Sequence, residues 1–137
     1  MACPFFLPNE RADDLAFPHP ARLPLGSGWR GRCCASGKEQ TVLDAKELES
    51  CNLGYATTCP RLPAERACDA VRFVVVNDSA DEVTLQFVME AAYRPAGHGF
   101  LKFDRRSGDW SVPHPDQLIQ KKAECFLQSH FERTSRQ

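Results

Sequence analysis

Apolar and polar positions alternate with a period of two between residues 83 and 91. Val83, Leu85, Phe87 and Met89 fall on one face and Thr84, Gln86 and Glu90 on the other, the pattern of a half-buried strand. The segment before it, 70–77, is nearly continuous in hydrophobicity and rich in β-branched residues, which predicts a second strand; Asp78-Ser79-Ala80-Asp81 supplies the turn between them. Residues 100–104 predict a further strand, and Arg106-Ser107-Gly108-Asp109 a turn into a short one around 110–112. The stretch Arg94-Pro95-Ala96-Gly97-His98-Gly99 reads as a polar loop between strands. After His114 the period lengthens. Pro115 suits a first helical position, and Ile119, Ala123, Phe126 and His130 recur on one stripe with Leu118 and Cys125 beside it, predicting a helix to about residue 131. A small antiparallel meander of three to four strands, packed on one face by a C-terminal helix, is an α+β arrangement.

Residues 1–69 show neither period over any length. Prolines at 4, 8, 18, 20 and 24 and glycines at 26, 28, 31 and 37 interrupt the first 40 residues, so this half is expected to be irregular. Phe5, Phe6, Leu7, Leu15, Phe17, Leu23, Leu25 and Trp29 make it too apolar for ordinary disorder. The segment must pack, and a bound metal is one way to order a chain with few ladder hydrogen bonds. Residues 41–51 predict a short helix, with Asp44 as N-cap, Glu47 three residues on, and Leu43 and Leu48 on its apolar side; Asn52-Leu53-Gly54 ends it. That places Cys51 at a helix C-terminus and Cys59 in the loop beyond.

At 137 residues the chain has the length of one domain, 1–137, in which 1–69 forms a metal-binding half and 70–137 the sheet and C-terminal helix. A net charge of −1 offers no basic field for nucleic acid or an anionic membrane surface. The longest strongly apolar run, 73–76, is far short of a membrane span, and the N-terminus lacks the basic region and apolar length of a signal peptide. A cytoplasmic location is expected, with no nucleic acid or membrane among the partners.

Seven cysteines are the compositional anomaly. An odd number without a secretory signal argues against a disulfide scaffold. A short internal repeat sorts them. Residues 3–14 and 59–69 both read Cys-Pro, then Leu-Pro-x-Glu-Arg-Ala-x-Asp, with one inserted residue in the first copy. As structure alone, the motif reads as a repeated helical cap, with proline at the start of a turn and glutamate reaching back. As chemistry, it presents Cys3 and Cys59 from stiff positions ahead of a proline. Cys68 aligns with Asp13, so the pattern does not demand a thiol there, and Cys125 sits mid-helix, where packing accounts for it. Cys3, Cys51, Cys59 and one member of the Cys33-Cys34 pair remain. A trans peptide holds that pair's Cα atoms about 3.8 Å apart, which disfavours both binding one compact centre. Cys33 is preferred, with Cys34 as its substitute.

Four thiolates suit structural zinc or an iron–sulfur cluster. Zinc sites usually take close C-x₂₋₄-C pairs, and this chain has no C-x-x-C; the long uneven gaps suit the larger cubane, and a [4Fe–4S]-type cluster is expected on Cys3, Cys33, Cys51 and Cys59. Cys-Pro also resembles the end of the bacterial ferredoxin run, C-x₂-C-x₂-C-x₃-C-P, over those two residues. Such a cluster would serve a structural, electron-transfer or redox-sensing role with a redox or protein partner. Filling all four positions with cysteine argues against open-site Lewis-acid catalysis, and a non-enzymatic role is favoured without being fixed by the sequence. Arg11, Arg66, Arg30 and Arg32 lie near the proposed ligands in sequence and would offset the negative charge of the centre. The alternatives are a zinc-stapled protein–protein interaction module and a metal-free thiol enzyme. His19 and His114 precede prolines and suit turns, His130 ends a helix, and no phosphate loop, G-x-S-x-G elbow or H-E-x-x-H is present.

Overall fold

The alternating segment at the centre of the second half forms the middle of a sheet. In a computed structural model, which describes residues 2–12, 14, 23–35, 41–53, 59, 63, 66–92 and 94–134, β4 (Ala70–Asp78), β5 (Glu82–Ala91), β6 (Arg94–Asp104) and β7 (Asp109–Val112) form an antiparallel meander in that order. Phe73 pairs with Phe87, and Leu85 with both Val75 and Leu101. The face carrying Phe73, Val83, Leu85, Phe87 and Leu101 is buried. Helix α2 (Gln117–Thr134) covers it, and the Phe73 and Phe126 rings stand 5.8 Å apart. The α+β arrangement of a four-stranded meander under a C-terminal helix is therefore present.

Two boundaries in this half differ from expectation for identifiable reasons. Strand β6 begins at Arg94, so the expected loop over 94–99 is part of the sheet. Its glycines are not turn residues. A Cβ on Gly97 would lie 2.8 Å from the Met89 methyl carbon, and one on Gly99 2.7 Å from the Phe87 ring, so these positions make room for large cross-strand neighbours. Helix α2 starts at Gln117 instead of Pro115, because Asp116 is the cap: its Oδ1 accepts from the Leu118 amide at 2.9 Å and its carbonyl from the Gln120 amide at 2.9 Å.

The N-terminal half carries more ladder than its prolines suggest. Strands β1 (Phe6–Arg11), β2 (Trp29–Cys33) and β3 (Thr41–Val42) form a second antiparallel sheet. Pro8 is tolerated beside a register shift between Pro8 and Glu10, where the ladder asks less of the backbone. The first copy of the repeat is therefore strand through Glu10 and Arg11, and the helical-cap reading fails there; most of the second copy lies outside the described residues. Gly31 sits opposite Pro8, and a Cβ on it would come 2.1 Å from the Leu7 carbonyl oxygen. The helix expected over 41–51 is shifted: residues 41–42 pair as β3, and α1 (Ala45–Leu53) starts after Asp44 and includes Asn52 and Leu53. The capping box sets its start, since the Glu47 amide donates to Asp44 Oδ1 at 2.8 Å and the Asp44 amide to Glu47 Oε1 at 3.3 Å.

Contacts among the described residues join the halves. The Ala2 and Val71 backbones exchange hydrogen bonds of 2.8 and 2.9 Å, placing the start of the chain beside β4. Arg11 pairs with Glu132 of α2. Lys122 of α2 donates to the Pro4 carbonyl at 2.9 Å. Buried residues of both halves, from Ala2, Phe6 and Trp29 to Val71, Leu101 and Phe126, form one apolar cluster. Among the described residues no helix is long and apolar enough to cross a membrane.

Candidate metal centre

Cys3 lies between two other cysteine-bearing segments. Its amide donates to the Cys51 carbonyl at 3.2 Å, which ties the N-terminus to the last turn of α1. Its own carbonyl accepts from the Phe6 amide at 3.1 Å in a tight turn, and Phe6 is the ladder partner of Cys33. The Cys34 amide donates to the Phe5 carbonyl at 2.9 Å, fixing the end of β2 against that turn. Cys3, Cys33 and Cys51 are buried, while Cys34 and Cys59 are half-buried, and all seven cysteines are free thiols.

The thiols stand close enough to act on one another. Burial pushes the Cys3 thiol up, the Phe5 amide and Lys122 pull it down, and Cys33 and Cys59 push it up again. Cys51 is pushed up to about 12, by burial first and then by Cys3, Cys33 and Cys59. Cys33 and Cys59 thus act electrostatically on both Cys3 and Cys51, although the four are carried on separate segments. Burial is the main influence on Cys3, Cys51 and Cys34 alike; Cys33 acts on all three, and Lys122 on Cys3 and Cys34. Cys125 is elsewhere on α2, pushed up to about 12 by burial, with Lys121, Glu124 and Lys122 as its charged neighbours. Cys68, assigned from the repeat to packing, is buried and lies within electrostatic reach of Cys3 and Lys122.

Sequence reasoning missed two residues that shape this region. Asn52 is 1% exposed and uses its whole amide: Oδ1 accepts from the Trp29 amide at 2.9 Å, and Nδ2 donates to the carbonyls of Trp29 and Leu48, each at 2.8 Å. It clamps the end of α1, next to Cys51, to the start of β2, which carries Cys33. Lys122 is fully buried, and its ammonium donates to the Pro4 carbonyl at 2.9 Å and the Leu118 carbonyl at 3.1 Å. Burial lowers it to about 8, opposed by Cys3, Asp116, Cys68 and Cys34, all of which favour its charged form. The signal was present in the sequence: Lys122 lies between Ile119 and Phe126 on the buried stripe of α2.

The arginines expected around the centre are held elsewhere. Arg30 makes a two-point pair with Asp14 at 2.6 and 2.8 Å, Arg66 bonds Asp69 at 2.5 Å and the Pro63 carbonyl at 2.7 Å, and Arg11 pairs with Glu132 and lies over the Trp29 ring at 5.6 Å. Arg32 is exposed. The buried cation beside the thiols is a lysine from α2.

His19 lies outside the described residues. His114 packs edge-on against Phe87 with centroids 4.8 Å apart, and His130 bonds Asp78 at 2.8 Å, so each of the two has a structural task away from the thiols. Among the described residues no group of three or more histidine, cysteine, aspartate or glutamate side chains is arranged to hold a metal ion. A lone zinc ion bound at about 2.3 Å by each thiolate would draw the sulfurs to within about 4 Å of one another. A four-iron cubane is larger and holds its thiolates farther apart. No protein-family model, curated protein or solved structure matches the chain.

Proposed function

We propose that the chain binds an iron–sulfur cluster of the [4Fe–4S] type on Cys3, Cys33, Cys51 and Cys59, with Cys34 as the substitute for Cys33. What supports this reading is the mutual electrostatic influence of four cysteines drawn from the N-terminus, β2, α1 and the segment beyond it. Nothing in local secondary structure requires thiols at those four places. A metal centre is a common reason for chain segments so far apart in sequence to present thiols to one another.

Three further features support it. The donor set is all sulfur, which suits iron–sulfur chemistry and leaves the hard cations out. The Phe5 amide points at the Cys3 sulfur, a hydrogen bond of the kind that stabilises a thiolate and tunes a cluster. The buried ammonium of Lys122 supplies positive charge where the ligated thiolates would place negative charge. A thiol enzyme is favoured less, because it needs a depressed thiol pKa, and burial raises those of Cys3, Cys34, Cys51, Cys68 and Cys125. When bound, the cluster supplies reversible one-electron chemistry or a cross-link between the segments; the residues described above hold it, exclude water and set its charge environment. A redox or protein partner would meet it from the side of Cys59, the half-buried member of the set.

Serine substitutions test the ligand set. Cys51→Ser is expected to lose most of the bound iron and visible absorbance after anaerobic preparation, with Cys125→Ser keeping both. Equal iron retention in the two variants would remove Cys51 from the set.

A further inference from the structure

We propose that the outer face of the β4–β7 sheet binds single-stranded nucleic acid, with Phe100 as the platform on which a base stacks and Arg72, His98 and Lys102 as donors to the phosphates around it. Helix α2 covers one face of the sheet. Across the other, the register puts Arg72 and His98 in one row, Gln86 and Phe100 in the next, and Lys102 in the third. Phe100 is 52% exposed, the most open of the large apolar side chains among the described residues, although β6 is an inner strand. A ring so open adds little to the core. Along β6 the face reads His98, Phe100, Lys102 at every second residue, about 7 Å apart, so the ring stands between two groups that can donate to a phosphate.

Charge points to an anionic partner. Arg11, Arg30, Arg66, Arg105 and Arg106 each pair with a carboxylate, whereas among the described residues the side chains of Arg72, His98 and Lys102 have no ion pair or hydrogen bond. The carboxylates of this face stand at its two ends: Glu90 beside the β5–β6 hairpin, and Glu82 opposite Asp104 beside the β4–β5 hairpin. The band between holds the exposed ring, the unpaired cations and the Gln86 amide next to Phe100. A single strand matches all three, since its phosphates meet the cations, a splayed base covers the ring and Gln86 reaches the base edge. A second copy laid on the face would set these cations against one another. A lipid surface would bury the Gln86 amide without a partner. The net charge of −1 averages this band with carboxylates elsewhere, so the expectation of no nucleic-acid partner, drawn from the whole chain, does not extend to it.

The experiment is fluorescence anisotropy of a labelled twelve-nucleotide oligouridine titrated with the reduced, metal-free full chain, so that its outcome is independent of the cluster reading. Phe100→Ala and Phe100→Leu are each expected to weaken binding roughly tenfold, the size of one lost base stack, and Phe100→Trp to retain it. Replacing both cations, Arg72→Gln with Lys102→Gln, is expected to lower the slope of log affinity against log salt by about 1.4, at about 0.7 per phosphate contact on a single strand. Lys46→Gln, an exposed change on α1, should leave affinity and slope as in the wild type. Oligothymidine should bind as oligouridine does, because stacking does not read the sugar. A duplex of the same length should bind far more weakly, because its bases are already stacked. No binding at low salt, equal affinity in wild type and Phe100→Ala, or a duplex held as tightly as the strand would overturn the proposal. So would capture by phosphatidylserine vesicles with none by the oligonucleotide, which would make the face a membrane surface. If Phe100→Ala yields no soluble protein, Phe100→Leu, which keeps an apolar side chain without the ring, carries the same comparison and the same two outcomes.

Discussion

Asn52→Ala tests how the centre is held in shape. Asn52 is 1% exposed and joins α1 to β2 through hydrogen bonds to the Trp29 amide at 2.9 Å and to the Trp29 and Leu48 carbonyls at 2.8 Å. Alanine cannot replace any of these bonds. The Leu48 carbonyl lies within the helix and has its own backbone partner to fall back on. The Trp29 amide and carbonyl do not share that recourse at this position, and each orphaned buried group costs about 1–3 kcal/mol. Two such groups give a loss of roughly 3 kcal/mol. With a urea dependence of about 1.5 kcal/mol per molar for a chain this small, the unfolding midpoint should fall by about 2 M. The assay is equilibrium urea unfolding of the reduced, metal-free protein, followed by far-ultraviolet circular dichroism and by tryptophan fluorescence, to which Trp29 and Trp110 both contribute. Asn52→Asp is the informative companion. It can still accept from the Trp29 amide but faces two carbonyls with an acceptor, so it should recover little of the loss. A destabilisation below about 1 kcal/mol for Asn52→Ala would refute the argument that this amide fixes α1 against β2.

Two other expectations follow from the same geometry. Gly31→Ala should destabilise by about 2 kcal/mol or more, since its Cβ would lie 2.1 Å from the Leu7 carbonyl oxygen and 2.8 Å from the Phe6 ring, and backbone cannot move aside cheaply; an unchanged unfolding midpoint would mean that β1 and β2 are not in the described register. Hydrogen bonds from His130 at 2.8 Å and Arg105 at 2.5 Å hold the Asp78 carboxyl below its ordinary value. A carboxyl with a lowered folded pKa contributes stability that is complete above its unfolded value of about 4 and is lost as pH falls through the folded one. Urea midpoints of wild type and Asp78→Asn should therefore differ at neutral pH and converge in acid, whereas a constant gap across that range would show that Asp78 acts through something other than its charge.

How far the residue pattern could be read depended on which force set each element. Strand β5 alternates because one face is buried, and that period is visible in any sequence that carries it. The capping box of α1 was equally legible, since Asp44 and Glu47 meet within one turn. Strands β1 and β2 were not, because Pro8 and Gly31 read locally as breakers, and only their tertiary pairing shows that each is placed where the ladder tolerates it. Gly97 and Gly99 misled in the same way, the missing Cβ serving Met89 and Phe87 on the neighbouring strand. Among the site residues, the cysteines were chosen by elimination and repeat; Cys33 and Cys59 act electrostatically on Cys3 and Cys51, and among the described residues no three ligating side chains are arranged to hold a metal ion. The cation beside them was sought among arginines near in sequence, yet it comes from Lys122, 119 positions after Cys3. Charge neighbours are set by packing across the core, which sequence adjacency does not encode. A lysine on a buried helical stripe is the one local trace it leaves.

The central claim is that the gathered thiols bind an iron–sulfur cluster. Anaerobic preparation of the full chain, with iron and acid-labile sulfide assayed together and the Mössbauer spectrum of the iron-57-enriched protein recorded, tests it most directly. About four irons and four sulfides per chain, in the signature of a cubane, are the predicted result. A colourless protein carrying stoichiometric zinc, or a stably folded one carrying no metal after reconstitution with iron and sulfide, would contradict it.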